Sequence, residues 1–264
     1  MSWLDDLIDV GSSVLDWFGG NSIGANIAKT AVTGYALNKV TSSINKDNEK
    51  AKEPDPGVRL QVDPSTEHKI PVVYGKTFIG GILTEAILTS NNQKMYYVLV
   101  LSEKTGNTGL GAGAASTFTF KSIYWDDLKL NFDADGITVA SAVDRAGNVD
   151  TSLDGLVKIY CYNGNSSSPV VPTGYTNAGL TPAYTVLSDA GIPSTQRWTS
   201  NHTMNDLIFA IIEVTYSKEN KVTGVSNVKF ELQNSMNQAG DCIYDYMTNT
   251  RYGAGIPAGE IYSS

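Results

Sequence analysis

Few residues in this chain have the types and spacing that catalysis would need. His68 and His202 are the only histidines and lie far apart. A Ser-His-Asp or Cys-His machine needs a base oriented by a third group, and no stretch marks such a set. Asp126-Asp127 follows a strand pattern and reads as a hairpin turn, and no segment suggests the two carboxylates of a sugar cleft. The run Gly106, Gly109, Gly111, Gly113 invites a phosphate loop, but no Gly-Lys-Ser/Thr follows it and no GxGxxG leads into a helix. It reads as a flexible loop. Asp133-Ala-Asp135-Gly136 hints at calcium, yet Ile137 takes the third ligand position of the loop and no glutamate closes it. Turn residues explain these aspartates, with Asp144, Asn148, Asp150 and Asp154 nearby. Cys161 and Cys242 sit in apolar surroundings without a C-x-x-C spacing, which predicts free thiols. The expectation is a protein that is not an enzyme and holds no cofactor and no metal.

Composition narrows the class further. The chain has 264 residues, 41% hydrophobic and 17% charged, with 25 glycines and 14 tyrosines. That suits a β-rich protein partly covered by other chains. A net charge of −8 opposes a grip on nucleic-acid phosphates, so no specific nucleic-acid binding is expected. An acidic surface could still border a passing nucleic acid without holding it. The N-terminus lacks the basic region of a signal peptide, and no apolar run reaches the roughly 18 residues needed to span a bilayer.

The elements that must position any site fall into four blocks. Residues 1–45 form an N-terminal helical segment. Leu4, Leu7, Ile8, Leu15 and Phe18, flanked by Trp3 and Trp17, make one apolar stripe; Ile23, Ile27, Ala31, Gly34 and Leu37 make another. These stripes pack on their own domain or meet a partner chain or channel. Direct membrane contact through Trp3, Trp17 and Phe18 is the weaker reading, because the polar face is acidic. Residues 46–57, with a charged run and two prolines, form a linker.

From 58 to 234 the period becomes two. Strands are expected in VRLQV, KIPVVYG, KTFIGGIL, MYYVLVLS, STFTFKSIYW, LVKIYCY, LIFAIIEVTY and NVKFELQ. Leu207–Tyr216, apolar on both faces, belongs at a sheet centre. Residues 105–116 and 163–192 are long non-strand segments, the second with a helical turn near Ala183, and in an assembly they could reach a neighbour. The fold class is therefore mainly β: a barrel or sandwich carrying an inserted smaller β domain, with the N-terminal helical segment and a short C-terminal helix.

Residues 235–264 carry that helix. Ala239, Cys242, Ile243, Tyr246 and Met247 predict its buried apolar face, Ser235 and Gln238 a capping box, Arg251 a cation suited to the helix dipole, and Gly253 a left-handed stop. Gly255 and Pro257 should end it.

Two blocks carry a family resemblance. Ala239 to Gly255 resembles the pattern x-x-ϕ-ϕ-D-ϕ-ϕ-T-x-x-R-Y-G-ϕ-G of the tail-tip, or host-specificity, proteins of lambda-like long-tailed phages, with Asp245, Thr248, Arg251, Tyr252, Gly253 and Gly255 matching. Ile70 to Gly81 resembles the P-V-x-Y-G-x-x-x-x-G-G signature near the start of many tail-hub proteins. The resemblance implies a trimeric β-rich hub that closes the distal tail tube. Such a hub binds the distal tail protein and the tape-measure protein and opens on receptor engagement. It further implies a virion protein, a β domain interrupted by a small barrel, and assembly roles for Asp245, Arg251, Tyr252 and Gly253, with Trp3 and Trp17 on the N-terminal helices. Because the family continues past this helix, receptor binding is expected from another tail-tip or receptor-binding chain, or from a missing extension. Readings from other classes are a tail-associated enzyme that degrades the cell envelope, and a surface adhesin or carbohydrate-binding β module with Trp125 or Trp198 on its platform.

Overall fold

The computed structural model describes residues 69–106, 116–176 and 180–261. The helical segment 1–45 with Trp3 and Trp17, the linker 46–57, the strand at 58–62, His68, and Gly109, Gly111 and Gly113 all lie outside the described residues.

The described residues form eleven strands: β1 (Lys76–Ile79), β2 (Ile82–Leu88), β3 (Lys94–Glu103), β4 (Phe118–Trp125), β5 (Leu128–Phe132), β6 (Val139–Val143), β7 (Val149–Asp150), β8 (Val157–Asn163), β9 (Pro169–Val170), β10 (Leu207–Thr215) and β11 (Val228–Asn234). The expected strand KIPVVYG makes only an isolated bridge at Val72, KTFIGGIL divides into β1 and β2 of different sheets, and β9 falls inside the segment 163–192 expected to hold no strand. Among the described residues three short α-helices accompany the strands, α1 (Ala183–Val186), α2 (Ala239–Thr248) and α3 (Ala258–Ile261), with one 3₁₀ turn at Ser194–Gln196. The architecture is mainly β. One sheet runs β1-β11-β4-β5-β6-β7 and the other β2-β3-β10-β8-β9. Each strand pairs antiparallel with its neighbours.

Alternate residues of the two sheets gather into one apolar core. Leu99 and Leu101 of β3, Ile159 and Cys161 of β8, and Ala210 and Ile212 of β10 join Phe120 and Ile123 of β4 and Phe230 and Leu232 of β11. Phe120 and Phe230 meet edge to face with centroids 6.2 Å apart. In the β11–β4 ladder the register shifts between Phe230 and Leu232, where Lys121 and Ser122 oppose the single residue Glu231.

The alternate residues of β3 and β10 build a second core on the other face of the five-stranded sheet. Tyr96, Val98, Val100, Phe209 and Ile211 pack there with Ala183, Val186, Leu187, Ile192 and Trp198. This explains the doubly apolar run at Leu207–Tyr216, since β10 lies between β3 and β8 and is buried on both faces. It also revises the reading of residues 163–192 as an arm to a neighbour. Its described part from Ala183 to Ile192 lies on the chain's own sheet, because the outer face of that sheet is apolar and would otherwise meet water.

Asp126 and Asp127 form the β4–β5 hairpin turn, both with positive φ (48° and 69°), as a two-residue turn between twisted strands requires. Asp126 accepts a hydrogen bond from the Ser226 hydroxyl and Asp127 pairs with Lys229, which ties the turn to β11 and its approach. Trp125 and Trp198 are both buried at 7% exposure, so neither forms an exposed platform.

Trp198 donates its Nε1–H to Glu85 Oε2 at 2.8 Å and stacks on His202. Burial pushes the Glu85 carboxyl above its ordinary range, with Trp198 and the nearby His202 only partly opposing. A carboxyl raised in the folded state contributes its full stability below its unfolded value of 4.5 and loses it as pH rises through the folded value. Glu85→Gln keeps an acceptor for Trp198 and cannot ionise. Its melting temperature should therefore match the parent at pH 4 and exceed it at pH 8. A gap that fails to widen between these two pH values would show that Glu85 ionises without penalty.

Candidate assembly site

The described part of the 105–116 segment, the 70–81 block and the C-terminal helix converge at one end of the sheets. The β11–β4 ladder continues one step past β11: Ser235 N–H bonds Thr117 O at 2.9 Å, and the Ser235 hydroxyl accepts from Thr117 N–H at 3.0 Å. Ser235 is thus spent on the sheet, and the expected capping box does not form. Gln238 occupies the N-cap in an extended conformation with no side-chain cap.

The expected inward face is also corrected. Ile243 is 60% and Tyr246 51% exposed, whereas Asp245 is 2% and Asn249 4% exposed. The helix lies polar side down because the surface beneath it is made of donors. Asp245 Oδ2 accepts from the Tyr74 and Tyr252 hydroxyls, each at 2.7 Å, and Oδ1 accepts from Gly106 N–H at 3.1 Å. Burial and then the Asp245 carboxylate push both phenols well above their ordinary range, so they stay protonated donors.

Further buried polar groups support this carboxylate. Asn234 donates to Val73 O at 2.7 Å and Thr105 Oγ1 at 2.8 Å, while its own oxygen accepts from Met236 N–H at 3.0 Å. Gly75 N–H bonds Met236 O at 2.8 Å. Thr105 and Ser116 share a 2.6 Å hydroxyl contact. Buried polar groups joined in this way fix one arrangement of the segments that carry them.

The turn after the helix is closed in the same style. Asn249 Oδ1 accepts from Arg251 N–H at 2.8 Å and Tyr252 N–H at 3.3 Å. The last helical carbonyls are met by Ala254 N–H on Tyr246 O, Gly255 N–H on Asn249 O and Ile256 N–H on Met247 O. The left-handed residue is Gly255 (φ 66°), not Gly253. Gly253 is needed for closeness instead: a Cβ there would lie 1.9 Å from Tyr246 O and 2.9 Å from Asn249 O. Helix α2 ends at Thr248, ahead of Gly255 and Pro257, and past Pro257 a separate helix, α3, begins; Glu260 N–H bonds Pro257 O, and the proline serves as a helix start.

Arg251 lies beyond the end of α2 and does not serve its dipole. Its Nε pairs with Glu103 Oε2 at 2.9 Å and its Nη1 with Asp206 Oδ2 at 3.2 Å, and both Nη atoms reach Asn205 O. Burial raises the Glu103 carboxyl, and Arg251 partly offsets this. The guanidinium therefore clips the C-terminal segment to the ends of β3 and β10.

Of the residues expected at an assembly site, Asp245, Arg251, Tyr252 and Gly253 come together here. Tyr74, Glu103, Asn234 and Asn249 complete the site and were not anticipated. The i, i+4 spacing of Asp245 and Asn249 was a visible signal, since it puts two polar side chains on one helix face. Elsewhere, Asp135 accepts from Ile137 N–H, Thr138 N–H and the Thr138 hydroxyl. Burial acts to raise that carboxyl, but these three donors outweigh it and hold the group below its ordinary value. Among the described residues no group of three or more His, Cys, Asp or Glu side chains is placed to hold a metal ion. Cys161 and Cys242 are both free thiols.

The chain matches no protein-family model and no curated protein at a significant level.

Proposed function

We propose that this chain is a structural component of a bacteriophage tail tip or baseplate hub, a homotrimer that closes the distal tail tube and takes part in host attachment and DNA ejection. One observation carries the reading. Tyr74, from the block resembling the early hub signature, and Asp245 and Tyr252, from the block resembling the Arg-Tyr-Gly helix, bond through one carboxylate although Tyr74 and Asp245 are 171 residues apart. Two short resemblances that could each arise by chance are here parts of one physical junction. The mainly β architecture is compatible with a barrel or sandwich hub bearing an inserted small β domain. On this reading the partners are the distal tail protein, the tape-measure protein and a separate receptor-binding chain, and the location is the virion.

The test is an image of the intact particle in which this chain is located and counted. Three copies around the axis at the distal end of the tail tube are expected, with acidic side chains facing the bore. Absence of the chain from purified tails, or a position along the tail shaft, would overturn the proposal.

A further inference from the structure

A cleft of about 520 Å³ opens at the far end of β4 and β11 from the α2 junction, between the Asp126–Asp127 hairpin, residues 150–153 and the loop 220–226. That volume lies inside the range of small-molecule sites, roughly 300–1,000 Å³, and is too small for a folded partner. Its depth and its rim differ in chemistry. Trp125, Leu153 and Val222, all buried, form an apolar floor, whereas Asp126, Asp150, Asn220, Lys221 and Thr223 are exposed at the rim. The walls are fixed by the fold itself. Val222 belongs to the core and bridges to Ser217, and Val225 N–H bonds the Tyr97 hydroxyl at 3.4 Å. Asp126 accepts from the Ser226 hydroxyl and from Asn227 N–H, and Asp150 Oδ1 accepts from Ser152 N–H at 2.8 Å.

The fold leaves a donor in this lining without a partner. A buried indole ordinarily gives its N–H to an acceptor, as Trp198 does to Glu85. Trp125 is as buried as Trp198, at 7% exposure, yet its Nε1–H has no acceptor among the described residues. A donor stranded in this way is destabilising until an oxygen meets it, and the cleft that Trp125 lines is where such an oxygen would sit. At the rim, the Lys221 ammonium, the Thr223 hydroxyl and Asp150 Oδ2 likewise have no partner among the described residues.

Charge and hydrogen-bonding capacity narrow the ligand class. The lining sets Asp126 and Asp150 against Lys221, and on the flanking residues Lys129, Arg145, Lys218 and Lys229 balance Asp127, Asp144, Asp154 and Glu219. No positive field is left over for a phosphate. Carboxylates only accept, while an ammonium and an indole N–H only donate. An anion would therefore face the two carboxylates lone pair to lone pair, and an amine would leave Trp125 and Lys221 unserved. Adjacent hydroxyls on a carbon ring give and take hydrogen bonds together, and the C–H groups of such a ring suit the apolar floor.

We propose that this cleft binds a neutral saccharide, whose hydroxyls accept from Trp125 Nε1–H and Lys221 and donate to Asp150. The site is separate from the α2 junction, and the proposal does not rest on the tail-hub reading.

The full chain, labelled with nitrogen-15 and titrated by NMR with neutral hexoses, N-acetylhexosamines and their disaccharides at millimolar concentration, tests it. The Trp125 indole N–H signal, identified by its loss in Trp125→Phe, should shift saturably with at least one of these sugars, while that of Trp198 does not move. Asp150→Asn combined with Lys221→Ala should weaken the binding about tenfold, with an unchanged Trp198 signal showing that the sheets remain folded. Inorganic phosphate and spermidine are the anionic and cationic probes. A Trp125 signal unmoved by every sugar of the panel, one moved as strongly by phosphate or spermidine, or sugar binding undiminished in the double variant would each overturn the proposal.

Discussion

Gly253→Ala will open the turn after α2 and loosen the helix from the sheets while leaving the sheets folded. The added methyl would sit 1.9 Å from Tyr246 O and 2.9 Å from Asn249 O. Both are backbone atoms, so no side chain can swing aside. The Ala254–Tyr246 bond must break, which displaces Tyr252 from Asp245 and Arg251 from Glu103. The expected loss is about 3 kcal/mol, at the upper end for a forced backbone shift. Hydrogen exchange read by segment should show Cys242 to Tyr252 losing protection while β3 and β10 keep theirs. Equal protection of α2 in variant and parent would mean that the turn tolerates a side chain. Gly255→Ala is the contrast. It meets only Thr250 at 3.8 Å but keeps φ at 66°, so its cost is the left-handed strain alone, about 1–2 kcal/mol.

Asp245→Ala should cost roughly 3–5 kcal/mol, because it strands buried donors and not merely one contact. The Tyr74 and Tyr252 hydroxyls and the Gly106 N–H would all lose their acceptor. Asp245→Asn should fall between the parent and Asp245→Ala. Its amide oxygen can keep the two hydroxyls, but its NH2 group would then face the Gly106 N–H donor to donor. Denaturant midpoints for the parent and both variants measure this series. An alanine variant within about 0.5 kcal/mol of the parent, the spread of ordinary surface substitutions, would show that the carboxylate is not the tie between the two blocks.

The long strands were legible in the sequence for a simple reason: β3, β4, β8, β10 and β11 each carry enough alternating or doubly apolar residues to state which faces they bury. The helical turn at Ala183 and the hairpin turn at Asp126-Asp127 were legible from local chemistry as well. The orientation of α2 was not. An amphipathic pattern says that two faces differ, but which one lies inward depends on the surface beneath. Here that surface is built from Tyr74, Thr105, Gly106 and Asn234, three of them more than 130 residues distant from Asp245. The two glycines of Arg-Tyr-Gly-Ala-Gly also exchanged roles. A sequence shows that a turn needs glycine, while only coordinates separate a glycine needed for its φ from one needed for the space it leaves.

The order of strands within the sheets sets when this protein can fold during synthesis. β10 forms the middle of one sheet and β11 joins β1 to β4 in the other, yet among the described strands these two are made last. β3 must wait for about a hundred residues before its partner β10 exists, roughly 5–20 s at ordinary elongation rates. Until then Tyr96 to Leu101 has neither its central ladder nor either of its cores. A nascent chain therefore cannot complete the N-terminal half first: a product released before Leu207 lacks an inner strand in both sheets, and one released between Thr215 and Val228 still lacks β11 in the six-stranded sheet. Such products are expected to depend on chaperone holding and to be cleared as unfolded chains, so the two sheets mature together as a single event once β11 has been translated.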